Sequence, residues 1–112
     1  LPITPYQREE VAEYVRKSGG KIIAGKGATF YGIAASLCHI IKCIYSGADT
    51  VMTLSTLLEG EYGISDVCLS TLCVLGSRGI LSTLAPKMSE EEMAKFRHSA
   101  EALKSVIAQV NI

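Results

Sequence analysis

The side chains best able to do chemistry are two histidines, four cysteines and one threonine that follows a glycine pair. His39 lies inside an apolar segment, and His98 lies in a charged segment near the end of the chain. Neither histidine stands at a spacing from a hydroxyl, thiol or carboxylate that would predict a catalytic triad or a metal site. We therefore expect both imidazoles to be satisfied or solvated, and the sequence predicts no catalytic residue.

The cysteines form two pairs, each with its members five positions apart: Cys38 with Cys43, and Cys68 with Cys73. In a helix this spacing separates the first pair by roughly 140° around the axis, and in a strand it points the second pair to opposite faces. Neither pair has the close spacing of a zinc site, and neither can bridge within its own element. We expect reduced, buried thiols, no metal and a cytoplasmic protein. The first five residues lack the features of a signal peptide.

The glycines around Lys26 do not form a dinucleotide-binding loop. Such a loop follows a strand and opens a helix, whereas a helical pattern precedes Gly19-Gly20 and Gly25-x-Gly27. Thr29 comes two positions after Gly27, where a helix cap or a ligand contact would lie. Residue type alone favours the cap, and the ligand contact stays open.

Charge and composition exclude some classes of function. The charges of eleven basic and eleven acidic residues cancel. This balance removes the main electrostatic argument for binding to nucleic acid or to an anionic membrane surface. The longest apolar run is interrupted by His39 and Lys42, so we expect no membrane span. The apolar content of 48% is high for 112 residues and fits a domain, or part of one, that lies against another surface.

The apolar periodicity predicts an α+β fold around one central helix. Lys26–Gly47 carries apolar or small side chains three and four positions apart, and almost every position is apolar, which predicts a long helix buried on most sides. A first helix is predicted at Tyr6–Lys17, after an extended lead-in at Leu1–Pro5, and we expect Ser18-Gly19-Gly20 to weaken or kink it. The alternative is that the next turn, Lys21–Ala24, is also helical where tertiary contacts hold it, before Gly25-Lys26-Gly27 breaks the chain.

The second half of the chain predicts antiparallel strands and a closing helix. The β-branched and apolar runs, separated by glycine-containing turns, predict an antiparallel meander of Asp49–Leu58, Val67–Leu75 and Ile80–Leu84. Ser89 and Glu92 form a capping-box pattern that opens the last helix. That helix has one apolar face, made of Met93, Phe96, Ala100, Leu103, Val106 or Ile107, and Val110.

The string KGATFYGIA at Lys26–Ala34 resembles the helix start in the substrate domain of L-lactate dehydrogenases, within the lactate/malate dehydrogenase family. The resemblance continues in the family's order along nearly the whole chain. It covers Thr50–Ser55, Glu59–Ile64, Asp66–Ser70, Gly76–Ile80, Ser89–Glu92 and Phe96–Lys104.

The resemblance implies that residues 1–112 are the C-terminal, substrate-binding portion of a cytoplasmic, NAD-dependent L-lactate dehydrogenase of pyruvate metabolism and glycolysis. The reaction would be hydride transfer between NADH and a 2-oxo acid. In that family the NAD-binding domain, the arginine that clamps the substrate and the catalytic histidine–aspartate pair lie upstream, so we expect them to be absent from this chain. His39 and His98 do not match the family's histidine motif. The resemblance also implies a homo-oligomer, either a tetramer or a dimer.

Two residues take roles from the resemblance. Thr29 matches the position that lines the substrate pocket, and Ile33 matches an apolar contact to the nicotinamide ring. Malate dehydrogenases usually carry a smaller residue in place of Thr29, so threonine favours lactate, although Gly19-Gly20 also occurs in malate-type relatives. The alternatives are the same region of a malate dehydrogenase and a non-catalytic interaction or scaffold domain. We expect this chain on its own to associate or exchange domains, which light scattering would test.

Overall fold

The computed structural model describes residues 4–110, which form three α-helices and a three-stranded antiparallel sheet. In chain order the elements are α1 (Pro5–Lys26), α2 (Phe30–Ser46), β1 (Thr50–Glu59), a 3₁₀ turn (Glu61–Gly63), β2 (Ser65–Gly76), β3 (Gly79–Leu84) and α3 (Glu90–Ile107). The chain divides into two compact units, Leu1–Ile41 and Lys42–Ile112. The α+β fold class is confirmed. Most of the predicted extended lead-in lies outside the described residues, and Pro5 already belongs to α1.

The first helix is longer than the sequence predicts. It opens with a capping box in which the Thr4 hydroxyl accepts from the amide of Gln7 at 3.3 Å and the Gln7 side chain accepts from the amide of Thr4 at 2.9 Å. It then runs as one helix to Lys26, past the Ser18–Gly20 segment where a weakening or kink was expected. A glycine costs a helix only about 1 kcal/mol relative to alanine, so the flanking turns are enough to carry the helix through.

The prediction that the central helix is buried is wrong for this chain. Cys43 is the one buried residue that the structure describes in α2, and Tyr45 is 88% exposed. The apolar periodicity correctly predicted a helix. It shows that the helix has an apolar surface suited to burial, but residues 4–110 leave most of that surface exposed. α1 likewise has no buried residue in the described part of the chain.

The predicted meander is confirmed, with strands slightly longer than expected. β2 is central and pairs antiparallel with β1 on one side and with β3 on the other. The register places Leu58 opposite Val67, and it shifts between Leu58 and Glu59. Asp66 lies at this irregularity with a φ of 62°, a left-handed conformation that aspartate tolerates better than most residues.

One face of the sheet packs against α3 and forms the core of the second unit. Leu58, Ile64, Val67 and Ala100 are buried together, bordered by Tyr62, Leu69 and Phe96. The Ser89–Glu92 capping box is confirmed in both directions, at 3.2 Å and 2.9 Å. Of the predicted apolar face of α3, Ala100 belongs to the core and Phe96 packs against it. Leu103, Val106, Ile107 and Val110 are exposed.

Within residues 4–110 the four cysteines are thiols rather than members of disulfides, and only half of them are buried. Cys43 and Cys73 are buried, whereas Cys38 and Cys68 are exposed, which corrects the expectation that all four would be covered. Within residues 4–110, no single helix is long and apolar enough to cross a membrane. The bent pair of α1 and α2 passes that test of length and composition only when the two helices are taken together.

Candidate functional site

The candidate site begins at the corner between α1 and α2. Gly27 ends α1 with a φ of 75°, and its amide donates to the carbonyl of Ile23 at 2.8 Å. A positive φ is readily adopted by glycine, so the chain can leave the helix within one residue. Ala28 follows half-buried, and Thr29 is exposed directly before the first residue of α2.

Thr29 directly precedes α2, and Ile33 is the fourth residue of that helix. They are four positions apart, and this spacing places neighbouring side chains about one turn apart along a helix. Both are open to solvent, with Ile33 73% exposed. The start of α2 therefore presents an exposed threonine and an exposed isoleucine, four positions apart. This combination can hydrogen-bond a polar group while packing on a flat apolar ring.

Aromatic and cationic side chains surround this corner. The Lys26 ammonium lies 4.9 Å from the centre of the Tyr31 ring, and the Phe30 and Tyr31 rings are 4.4 Å apart. The Lys26–Tyr31 contact was not predicted from the sequence. The signal was a lysine and a tyrosine on either side of a short helix break, which the usual helical spacings do not cover.

The histidines and acidic residues form no second candidate centre. His39 is exposed on α2 in the first unit, and His98 is exposed on α3 in the second. In the part of the chain that the structure describes, no group of three histidine, cysteine or acidic side chains could hold a metal ion. We therefore assign no metal-binding residue within residues 4–110.

An open groove of about 500 Å³ lies beside the first half of α3. The polar groups around it already serve the fold. The Glu92 carboxylate accepts from the amide of Ser89, and the Tyr62 hydroxyl donates to the carbonyl of Pro86 at 2.7 Å. The hydrogen bond and positive charge of Lys95 lower the pKa of Glu91, as expected of an exposed helical ion pair. The groove is lined by Pro86, Lys87, Met88, Glu92, Lys95, Phe96 and Ser99.

Known proteins resemble this chain along nearly its whole length. An L-lactate dehydrogenase from Thermoanaerobacterium saccharolyticum is 41% identical over 105 residues, which are 94% of this chain and 34% of that protein. The solved L-lactate dehydrogenase from Clostridium thermocellum has a TM-score of 0.87 at 36% identity, over 96% of this chain and 37% of that one. The malate dehydrogenase from Archaeoglobus fulgidus, solved in complex with NADH, has a TM-score of 0.82 at 32% identity, over 90% of this chain and 34% of that one.

This chain therefore spans about a third of the length of the curated relatives it matches. The sequence model of the lactate/malate dehydrogenase α/β C-terminal domain matches residues 3–111. With that match, and with the three helices and antiparallel sheet of the solved relatives, the chain belongs to the lactate/malate dehydrogenase family as its α/β C-terminal domain.

Proposed function

We propose that residues 1–112 are the C-terminal, substrate-binding portion of an NAD-dependent L-lactate dehydrogenase that interconverts pyruvate and L-lactate. The observation that carries the proposal is the 41% identity to an L-lactate dehydrogenase across 94% of this chain. A third of an enzyme's length leaves room for a separate N-terminal NAD-binding domain, which we propose to lie outside these residues. The proton-donating histidine and the substrate-clamping arginine implied by the resemblance would come from that domain.

We assign Thr29 to the substrate pocket and Ile33 to the nicotinamide ring. Ile33 would contact NADH, whose chemistry when bound would be to supply the hydride that reduces a 2-oxo acid, and this chain would shape the space around the reacting groups. The exposed aliphatic side chain of Ile33 fits a flat apolar ring, and Thr29 lies four positions before it, at the exposed start of α2. An NADH complex of a relative that is 32% identical supports the cofactor. Covering these two side chains would exclude water from the reacting groups.

The exposed surfaces of α1 and α2 support further partners. α2 is apolar along its length, yet Ile33, Leu37 and Tyr45 are all more than half exposed. A surface of this kind fits burial against the NAD-binding domain and against a second copy of the protein. We therefore propose a cytoplasmic homo-oligomer.

Malate dehydrogenase is the second candidate, because the A. fulgidus enzyme shares the fold at 32% identity. The side chain at position 29 favours lactate. A threonine leaves less room than a smaller residue would for the second carboxylate of oxaloacetate. A difference of about one methylene group in a pocket changes selectivity about 10-fold or more.

The test is NADH oxidation by the full-length protein that carries this chain, with pyruvate and oxaloacetate in parallel. We expect turnover of pyruvate, and we expect Thr29→Ala to shift the ratio of kcat/KM values towards oxaloacetate about 10-fold. Thr53→Ala, at an exposed position of β1, is the matched control and should leave the ratio unchanged. Turnover of oxaloacetate alone would establish the malate candidate, and turnover of neither would favour a non-catalytic scaffold.

A further inference from the structure

We propose that Lys26 is a positioning residue that holds the α1–α2 corner, and with it Thr29, through its contact with the Tyr31 ring. This inference rests on the proposed function, in which Thr29 lines the substrate pocket. Lys26 would bind no substrate itself. It would act by fixing where the threonine hydroxyl stands relative to the start of α2.

The geometry of the corner supports this role. Lys26 is the last residue of α1, Tyr31 is the second residue of α2, and Thr29 lies on the short connection between them. The ammonium of Lys26 lies 4.9 Å from the centre of the Tyr31 ring, within the range of a cation–π attraction. The contact therefore joins the two ends of the connection that carries Thr29.

The connection needs such a tie because its backbone is adaptable. Gly27 holds a φ of 75°, and glycine can reach many other conformations at low cost. The hydrogen bond from the Gly27 amide to Ile23 ties the connection to α1. The Lys26–Tyr31 contact ties the same connection to α2, where Phe30 packs 4.4 Å from the Tyr31 ring.

The test is steady-state kinetics on the full-length protein with four single variants at Lys26 and Tyr31, one double variant and one control variant at Lys21. Lys26→Met removes the charge and keeps an aliphatic side chain, whereas Tyr31→Leu removes the ring. An exposed cation–π contact corresponds to about a 2- to 5-fold effect, so each should raise KM for pyruvate by that factor with kcat unchanged. Lys26→Arg keeps a cation that stacks on aromatic faces, and Tyr31→Phe keeps the ring. Each of these two variants should therefore have the KM for pyruvate of the unsubstituted enzyme.

The double variant separates a shared contact from two independent effects. If Lys26 acts through Tyr31, Lys26→Met combined with Tyr31→Leu should raise KM no further than either change alone. Lys21 provides the control, because its ammonium lies 4.2 Å over the Tyr14 ring within α1, away from the corner. Lys21→Met removes an equivalent contact and should leave KM for pyruvate unchanged.

Three outcomes would overturn the positioning role. In the first, Lys26→Met raises KM while Tyr31→Leu does not, which would mean that the lysine acts on substrate charge directly. In the second, the two effects add in the double variant. In the third, Lys21→Met changes KM as much as Lys26→Met, which would mean a structural role only. Failure of the proposed function itself would appear in the unsubstituted enzyme, as no turnover of pyruvate, before any variant is compared.

Discussion

Replacement of Leu58 by alanine is the sharpest test of the core. Leu58 is fully buried and packs with Ile64, Val67 and Ala100 between the sheet and α3. Leucine to alanine removes three carbon groups, worth about 2.4 kcal/mol of transfer free energy at about 0.8 kcal/mol each. The cavity left behind adds to this loss, so we expect the free energy of unfolding to fall by about 3–4 kcal/mol.

The neighbouring residue supplies a matched control. Leu57 lies on the same strand, but its side chain points to the opposite face and is 55% exposed. Leu57→Ala loses only part of the transfer free energy and leaves no cavity, so we expect a loss of at most about 1 kcal/mol.

The assay is urea unfolding of the 112-residue chain, followed by far-UV circular dichroism. The two variants should differ in midpoint at an unchanged slope, because the surface exposed on unfolding stays nearly the same. Equal losses for both variants would refute the assignment of the two strand faces. A loss below about 1 kcal/mol for Leu58→Ala would refute the packing of this core.

Three further predictions concern the second unit. Ser89→Ala removes the cap of α3 and should lower the free energy of unfolding by about 1 kcal/mol in urea. Tyr62→Phe removes the 2.7 Å hydrogen bond to the carbonyl of Pro86 while keeping the ring, and should lower it by about 0.5–1.5 kcal/mol in the same assay. The amide of Glu59 donates to the Glu61 carboxylate and lowers its pKa below the ordinary 4.5. The stability from this contact is therefore present above that value and is lost as the pH falls through the folded pKa, so Glu61→Gln should flatten acid unfolding measured by circular dichroism.

Each of these three predictions has a control or a contradicting result. Ser105→Ala changes a serine that lies inside α3 and does not cap the start of that helix. An equal loss in the free energy of unfolding for Ser105→Ala would rule out the capping explanation. Tyr45→Phe removes a hydroxyl from a tyrosine that is 88% exposed, and it should leave the free energy of unfolding unchanged. For Glu61→Gln, acid-unfolding curves parallel to those of the unsubstituted chain would contradict the stated cause of the lowered pKa.

The sheet and the last helix could be predicted because their signals are local. Glycine-containing turns separate the three strands, and these turns fix an antiparallel meander without any long-range information. The opening of α3 is specified by Ser89 and Glu92 three residues apart, which satisfy each other's backbone amides. In both cases the residues that decide the structure lie within a few positions of each other.

The burial of α2 could not be predicted, because periodicity describes a face and not what covers it. The apolar positions of α2 form a helix as expected. Within residues 4–110, however, Cys43 is the only residue of α2 that is buried. The length of α1 was missed for a related reason. Gly19 and Gly20 each lower the local stability of a helix, but helix formation is cooperative, and the turns on either side carry α1 through both glycines.

The roles of the candidate site residues could be predicted from the sequence pattern even less well than the burial of α2. Thr29 and Ile33 share a side by spacing alone, but nothing in a threonine and an isoleucine specifies an oxo acid or a nicotinamide ring. Their proposed roles come from the resemblance to lactate dehydrogenases, and the fold and family agree with it. The Lys26–Tyr31 contact needed coordinates, because it crosses a helix break where the usual neighbour rules do not apply.

The buried core and the proposed site residues lie in different compact units of the chain. The fully buried leucine and valine side chains lie in the second unit, between the sheet and α3, whereas Thr29 and Ile33 lie in the first. The first unit contributes helices with exposed apolar surface, and most helical stability in proteins comes from the packing of such faces. The proposed pocket on α2 would therefore gain its shape and its water exclusion only when another surface covers that helix. This dependence is what the proposed NAD-binding partner domain would satisfy, so the same contact would complete both the folding of the helices and the substrate pocket.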